Sequence, residues 1–101
     1  MRRLTTPTHR FRLSPKLDLN QIDKIKIVYV CNKTIVLYRR EDTIRLENGM
    51  AIVKLSQEET NQFPDKGYVE MQIHAVTKSG DSLISNIIED SLYRILDDEV
   101  L

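Results

Sequence analysis

The sequence predicts an all-β fold, a sandwich or small barrel of six or seven short strands with one short crossover helix at about 56–62. Three observations carry this. Several runs alternate apolar and polar residues with a period of two, the signature of a strand with one buried face. Turn residues interrupt the chain about every 8–12 residues. One of those interruptions, Asn48-Gly49, sits between two alternating runs and is the strongest short hairpin signal a sequence can offer, because both turn positions want positive φ.

HRFRL opens the series, with His9, Phe11 and Leu13 on one side and Arg10 and Arg12 on the other; Ser14-Pro15 ends it. In DKIKIVYV, Ile25, Ile27 and Tyr29 share a face opposite Lys24 and Lys26, while Val28 and Val30 make the far end apolar on both sides. Cys31-Asn32-Lys33 reads as a tight reversal, since asparagine tolerates the left-handed conformation such turns need. TIVLYR is β-branched and nearly continuous, the pattern of a central strand. TIRLE and MAIVKL flank Asn48-Gly49, with Ile44 and Leu46 facing one way and Ala51, Val53 and Leu55 alternating with Met50, Ile52 and Lys54.

The stretch VKLSQEETNQF changes period in the middle. Ser56 and Glu59 have capping-box spacing, and QEETNQ supplies one or two helical turns before Phe63-Pro64 halts them. So short a helix does not stand alone in water. It is expected to carry the chain from one sheet to another with Phe63 as its anchor. YVEMQIHAV then gives the cleanest alternation, with Val69, Met71, Ile73 and Ala75 inward and Glu70, Gln72 and His74 outward. After a loop at 77–81, SLISNIIEDSLYRIL is ambiguous: Ile84, Ile88, Leu92 and Ile95 have helical spacing, yet a strand over Ser82–Asp90 is the simplest partner for the preceding run.

At 101 residues the chain forms one domain, 1–101, with a single modest core and no deep enclosed cleft. A 41% apolar and 30% charged composition is ordinary for a globular protein. No apolar run approaches the roughly 18 residues that span a bilayer, and the start lacks the apolar core of a secretory signal. Net charge is zero but uneven. Arg2, Arg3, Arg10, Arg12 and Lys16 give a basic head, with residues 1–7 expected to be flexible; Glu89, Asp90, Asp97, Asp98 and Glu99 make the C-terminal end acidic, with 97–101 as an exposed tail. Complementary ends can pair within a subunit or between neighbours.

Two histidines, one cysteine and scattered carboxylates are the whole catalytic inventory. His9 lies on an inward face and reads as structural, and His74 points outward. A Cys31–His74 nucleophile pair can be assembled only in space, and no glycine-rich elbow accompanies it. No histidine or cysteine has a second ligand at metal-binding spacing. The first-turn position of Glu58 and Glu59 suits the exposed N–H groups of a helix start. Three glycines leave no phosphate-cradling loop. The residues predict no catalytic, cofactor or metal site. An OB-like single-stranded nucleic-acid binder is the alternative, weakened because Phe11, Tyr29, Tyr38, Phe63, Tyr68 and Tyr93 are partly inward and interleave with Glu47 and Glu70.

TPTHRFRL, IDKIKIVYV, AIVKLSQEETNQF and GDSLISNII…ILDDEVL together resemble a small protein encoded in prophages of Gram-positive bacteria. The layout is similar to the N-terminal β-sandwich module of phage baseplate and tail proteins, over about residues 5–101. The resemblance implies an immunoglobulin-like sandwich and strand over helix for SLISNII; SLYRIL departs from it by being bulkier and more helix-like. It further implies a non-enzymatic virion structural or assembly component, made in the bacterial cytoplasm, whose partners are other phage structural proteins or further copies of itself. Arg10 and Arg12 in the first strand and Asp97, Asp98 and Glu99 in the tail are the expected protein-contact residues.

Overall fold

The computed structural model describes residues 1–13, 18–64, 66–85 and 87–92. Within them the chain is all-β, with eight strands and one short helix: β1 (Thr8–Arg12), β2 (Ile22–Cys31), β3 (Thr34–Arg40), β4 (Arg45–Glu47), β5 (Met50–Lys54), α1 (Gln57–Thr60), β6 (Gly67–Thr77), β7 (Ser82–Ile84) and β8 (Ile88–Leu92). They build two antiparallel sheets. One is three-stranded in the order β1-β5-β4, and the other is five-stranded, β3-β2-β6 with β7 and β8 both on the free edge of β6. No strand pairing joins the sheets among the described residues, so they form two layers and not a closed barrel.

Period-two alternation decides what each layer buries. Ile25, Ile27, Tyr29 and Cys31 of β2 and Val69, Met71, Ile73 and Ala75 of β6 point into the core, where they meet Phe11, Ala51 and Val53 from the smaller sheet in one cluster. Ile27, Tyr29, Ala51 and Val69 are wholly buried. At about 1.5–3 kcal/mol for each large apolar side chain removed from water, this shared core is the main force holding the layers together.

Two of the hairpins are closed by two-residue turns. Asn48 (φ 51°) and Gly49 (φ 73°) turn β4 into β5, and Asn32 (φ 52°) and Lys33 (φ 65°) turn β2 into β3. Two consecutive left-handed residues match the right-handed twist of the strands they join.

The crossover is as the sequence predicts. Ser56 Oγ accepts from the Glu59 N–H, and a Glu59 carboxylate oxygen accepts from the Ser56 N–H, closing a capping box. The helix links β5 in the small sheet to β6 in the large one. Phe63 is buried beneath the crossover, its ring edge-on to Tyr29 at 6.0 Å. Thr60, fully buried, donates from Oγ1 to the Thr5 carbonyl at 2.9 Å. Arg3 reaches the Asn61 side-chain oxygen at 2.9 Å, and the Met1 ammonium lies 2.9 Å from Asp90. The basic head, expected to be flexible over residues 1–7, makes all three of these contacts with the body.

Two expectations are corrected. β3 is an edge strand of its sheet, not a central one. Its apolar run is continuous because Val36 is an extra residue between the Tyr29–Leu37 and Val30–Ile35 pairs, and because Ile35 and Tyr38 lie exposed on the outer face. Apolarity on both sides here does not mean burial on both sides. The last predicted strand, in turn, is two. From Ile84 to Ile88 the chain advances four positions while its partner advances three, His74 to Met71. That one-residue excess is a β-bulge. Ser85 bridges it, its Oγ accepting from the Ile73 N–H and its N–H donating to the Ile73 carbonyl, both at 2.9 Å. Strand therefore wins over helix through Leu92, while 93–96 and the tail 97–101 lie outside the described residues.

Candidate interaction surfaces

Among the described residues, those with catalytic potential do not converge. Cys31 is buried on the inner face of β2. His74 sits on the outer face of β6, opposite Lys26, five residues from Cys31 along β2. The structure therefore does not bring that pair together. Burial, followed by the nearby Glu70 charge, raises the Cys31 thiol pKa above its ordinary value, which keeps it protonated and a poor nucleophile. His74 Nε2 lies 3.0 Å from Ser82 Oγ. Glu59 is occupied by the capping box and by Arg39. Among the described residues no group of three histidine, cysteine, aspartate or glutamate side chains could hold a metal ion.

His9 is structural, as its inward position predicts. Its Nδ1 lies 2.8 Å from the Tyr29 hydroxyl, tying β1 of one sheet to β2 of the other. Burial lowers the His9 pKa, with Asp90 opposing and the N-terminal ammonium assisting. Burial likewise raises the Tyr29 pKa, opposed by Arg39 and reinforced by Glu59. Both shifts favour a neutral pair, in which the imidazole tautomer sets which of the two groups donates.

What remains exposed are two sheet faces. On the small sheet, Arg10 pairs across β5 residue Ile52 with Arg45, and Thr8 lies beside Lys54. These side chains and Arg39 line a shallow hollow of about 310 Å3. Arg12 extends the row opposite Met50. Arg45 is 3.2 Å from Glu47 in an exposed pair, of little energetic weight. The sequence identifies Arg10 and Arg12 but not Arg45 or Lys54 as their companions. Only the β1-β5-β4 register makes them neighbours. Asp97, Asp98 and Glu99, the proposed acidic counterpart, lie outside the described residues.

The outer face of the large sheet is the more unusual surface. Its middle exposes Ile35, Tyr38, Ile84 and Ile87, between 42% and 61% accessible, around half-buried Val28 and Val30. A shallow groove of about 230 Å3 runs among Val28, Val30, Ile35, Tyr38 and Ile84. Soluble monomers seldom leave so many large aliphatic side chains together in water. The charges around it are sorted by strand register. Lys26 pairs with both Arg40 and His74, and Lys24 lies two positions further out. At the other end Val30 faces Glu70, which pairs with Glu89. Lys26 Nζ and Arg40 Cζ stand 5.4 and 5.5 Å from the Tyr38 ring centroid, so two cations flank one exposed aromatic.

Scans against protein-family models, curated proteins and solved structures find no match to this chain. Any assignment of role therefore starts from these surfaces and from the sequence resemblance. Among the described residues no helix is long and apolar enough to cross a membrane.

Proposed function

We propose that this is a non-enzymatic phage or prophage structural or assembly protein, a tail- or baseplate-associated module that works by protein–protein contact. The observation that carries the contact reading is the exposed apolar face of the five-stranded sheet, Ile35, Tyr38, Ile84 and Ile87, on a domain whose described histidine, cysteine and acidic side chains are dispersed or engaged in structure. The phage assignment, and with it a virion location after synthesis in the bacterial cytoplasm, rests on the sequence resemblance.

The immunoglobulin-like sandwich belongs to the same proposal. An immunoglobulin constant-type domain places its first, second, fifth and fourth strands in one sheet and its third, sixth and seventh in the other. With β7 and β8 counted as one broken strand, the present order keeps that division except for β2, which sits between β3 and β6. The reading is of a relative with its second strand transferred between layers.

The basic face of the small sheet gives the proposed ring or tail contact a second element. Arg10, Arg12, Arg45 and Lys54 outnumber Glu47 there, and the acidic tail residues Asp97, Asp98 and Glu99 are the complementary charge. Mass spectrometry of purified particles induced from a host carrying the gene tests the assignment. Recovery of the chain with the tail proteins at fixed stoichiometry supports it. Particles assembled without the chain overturn it.

One observation favours a single-stranded nucleic-acid binder: Tyr38 between Lys26 and Arg40 is the arrangement on which a base stacks. Tyr38 is the one aromatic between cations there, however: Tyr68, exposed on the same side of β6, lies past Glu70, and Glu41 stands beside the basic end. Fluorescence anisotropy with labelled oligonucleotides separates the readings, since the contact module gives no binding at physiological salt.

A further inference from the structure

We infer that the outer face of the five-stranded sheet docks on the same face of a second copy of this chain, about a two-fold axis lying in the interface and running across the strands. The inference rests on the contact-module reading and names the partner of one of its surfaces.

Charge is ordered along β2 and β6. Rows of residues cross the sheet at right angles to the strands. One row is Arg40, Lys26, His74 and Ile84. The next holds Tyr38, Val28 and Gln72. The third is Ile35, Val30, Glu70 and Glu89. Cations thus gather at one end of the strand direction and anions at the other, the middle row carries no charge, and apolar side chains run through all three rows.

Such a face is complementary to itself in one orientation. A two-fold axis parallel to the strands stacks like charge on like. A two-fold axis across the strands, through the Tyr38–Val28–Gln72 row, reverses the strand direction of the second copy. It brings the Lys26 row of each copy over the Glu70 row of the other, with each strand over its own counterpart, so that His74 faces Glu70, Lys26 lies one strand spacing from it, and Tyr38 and Val28 meet their own copies at the centre. In such an isologous contact each interaction occurs twice, so every charge pairing counts double. Glu41, beside Lys24, Lys26 and Arg40 around a hollow of about 320 Å3, reduces the positive charge at that end without reversing it.

The area is adequate. Four lanes of strand about 4.8 Å apart, over about nine residues at about 3.3 Å each, give a face of about 500 Å2 in projection. Two copies therefore remove about 1,000 Å2, the lower limit for a specific interface. An interface at that limit suits a reversible dimer.

Within one subunit Lys26 and Glu70 cannot pair. They lie four residues apart along the strand direction, about 13 Å. That separation allows a decisive test with the full-length chain: sedimentation equilibrium from about 5 to 500 µM at near-physiological salt, on wild type, Lys26→Glu, Glu70→Lys and the double swap. Wild type is expected to show a monomer–dimer equilibrium. Each single swap sets like charges beside each other across the interface and weakens the dimer by about tenfold or more. The double swap restores it to within about threefold of wild type, because the axis sets position 26 one strand spacing from position 70 of the other copy, within reach of a lysine–glutamate pair. Unchanged thermal melts by circular dichroism confirm that the variants fold.

A monomer at every concentration overturns the inference. So does a double swap no better than the singles, or an open-ended series of higher oligomers. A dimer in a protein missing from phage particles keeps this inference and removes the phage assignment; a monomer found in particles does the reverse.

Discussion

Arg39 and Glu59 join the large sheet to the crossover helix, with Arg39 Nη1 2.7 and 2.8 Å from the two carboxylate oxygens. The same guanidinium donates to the Lys54 carbonyl and, through Nε and Nη2, to Thr43. Glu59 meanwhile accepts from the Ser56 N–H. A residue that looks in sequence like half of an acidic pair thus serves as both helix cap and clamp. Both side chains are largely covered, at 16% and 21% exposure. Arg39→Ala is expected to cost about 2–3 kcal/mol, since it leaves a shielded carboxylate without its cation. Glu59→Gln keeps the cap acceptor and is expected to cost about 1 kcal/mol. Urea denaturation of the two variants checks the order; equal losses contradict it.

The His9–Tyr29 bond makes stability depend on pH at both extremes. The folded His9 pKa lies below its ordinary 6.5, so as pH falls below that value the unfolded chain takes up a proton that the folded chain resists. Stability falls with it, levelling off below the folded pKa. The folded Tyr29 pKa lies above its ordinary 10.0. Above that value the unfolded phenol ionises while the buried one does not, and stability falls again. Between the two this pair contributes no slope. Melting temperature measured across this range is expected to fall at both ends. His9→Gln retains a hydrogen-bonding group for the phenol and should flatten the wild-type decline between about pH 7 and 5; an equally steep decline contradicts the assignment.

The two hairpin turns share one backbone geometry but not one sequence. Gly49 suits its left-handed position, whereas Lys33 occupies an equivalent one with a side chain. Lys33→Gly is expected to stabilise the fold by about 0.5–1 kcal/mol, because relief of left-handed strain exceeds the added chain entropy. Gly49→Ala meets no neighbour within 4 Å of its new Cβ, so its expected loss of about 1 kcal/mol is backbone strain alone. Thermal melts of both variants give the signs, and a stabilising Gly49→Ala refutes the reading.

Thr60 links the crossover to the N-terminal segment through its bond to the Thr5 carbonyl. Thr60→Val preserves shape and removes the donor at a fully buried site. A cost of about 1–3 kcal/mol is expected from the orphaned carbonyl. Faster hydrogen exchange should accompany it in the Leu55 amide, which donates to the Pro7 carbonyl nearby. Exchange unchanged at Leu55 would show that the segment is held by other contacts.

Period-two alternation in β2, β5 and β6 revealed the inward rows, the Asn-Gly pair revealed the hairpin, and Ser56 with Glu59 revealed the cap. Each of these signals lies within about a dozen residues. What the sequence hid depends on register between distant strands. Lys26, Arg40 and Glu70 become an ordered face only once β3, β2 and β6 are aligned, and Arg45 joins Arg10 only across β5. The break between β7 and β8 was masked for another reason. A one-residue bulge shifts strand alternation and leaves Ile84, Ile88 and Leu92 four apart, the spacing of a helix.

The central claim is that the exposed face of the five-stranded sheet is the working surface of this protein. Backbone amide NMR spectra of the full chain at about 20 and 500 µM test it most directly. Concentration-dependent shifts confined to Lys26, Val28, Val30, Tyr38, Arg40, Glu70, Gln72, His74 and Ile84 are predicted. Spectra that superimpose, or shifts centred on Arg10, Arg12 and Arg45 of the other sheet, would contradict it.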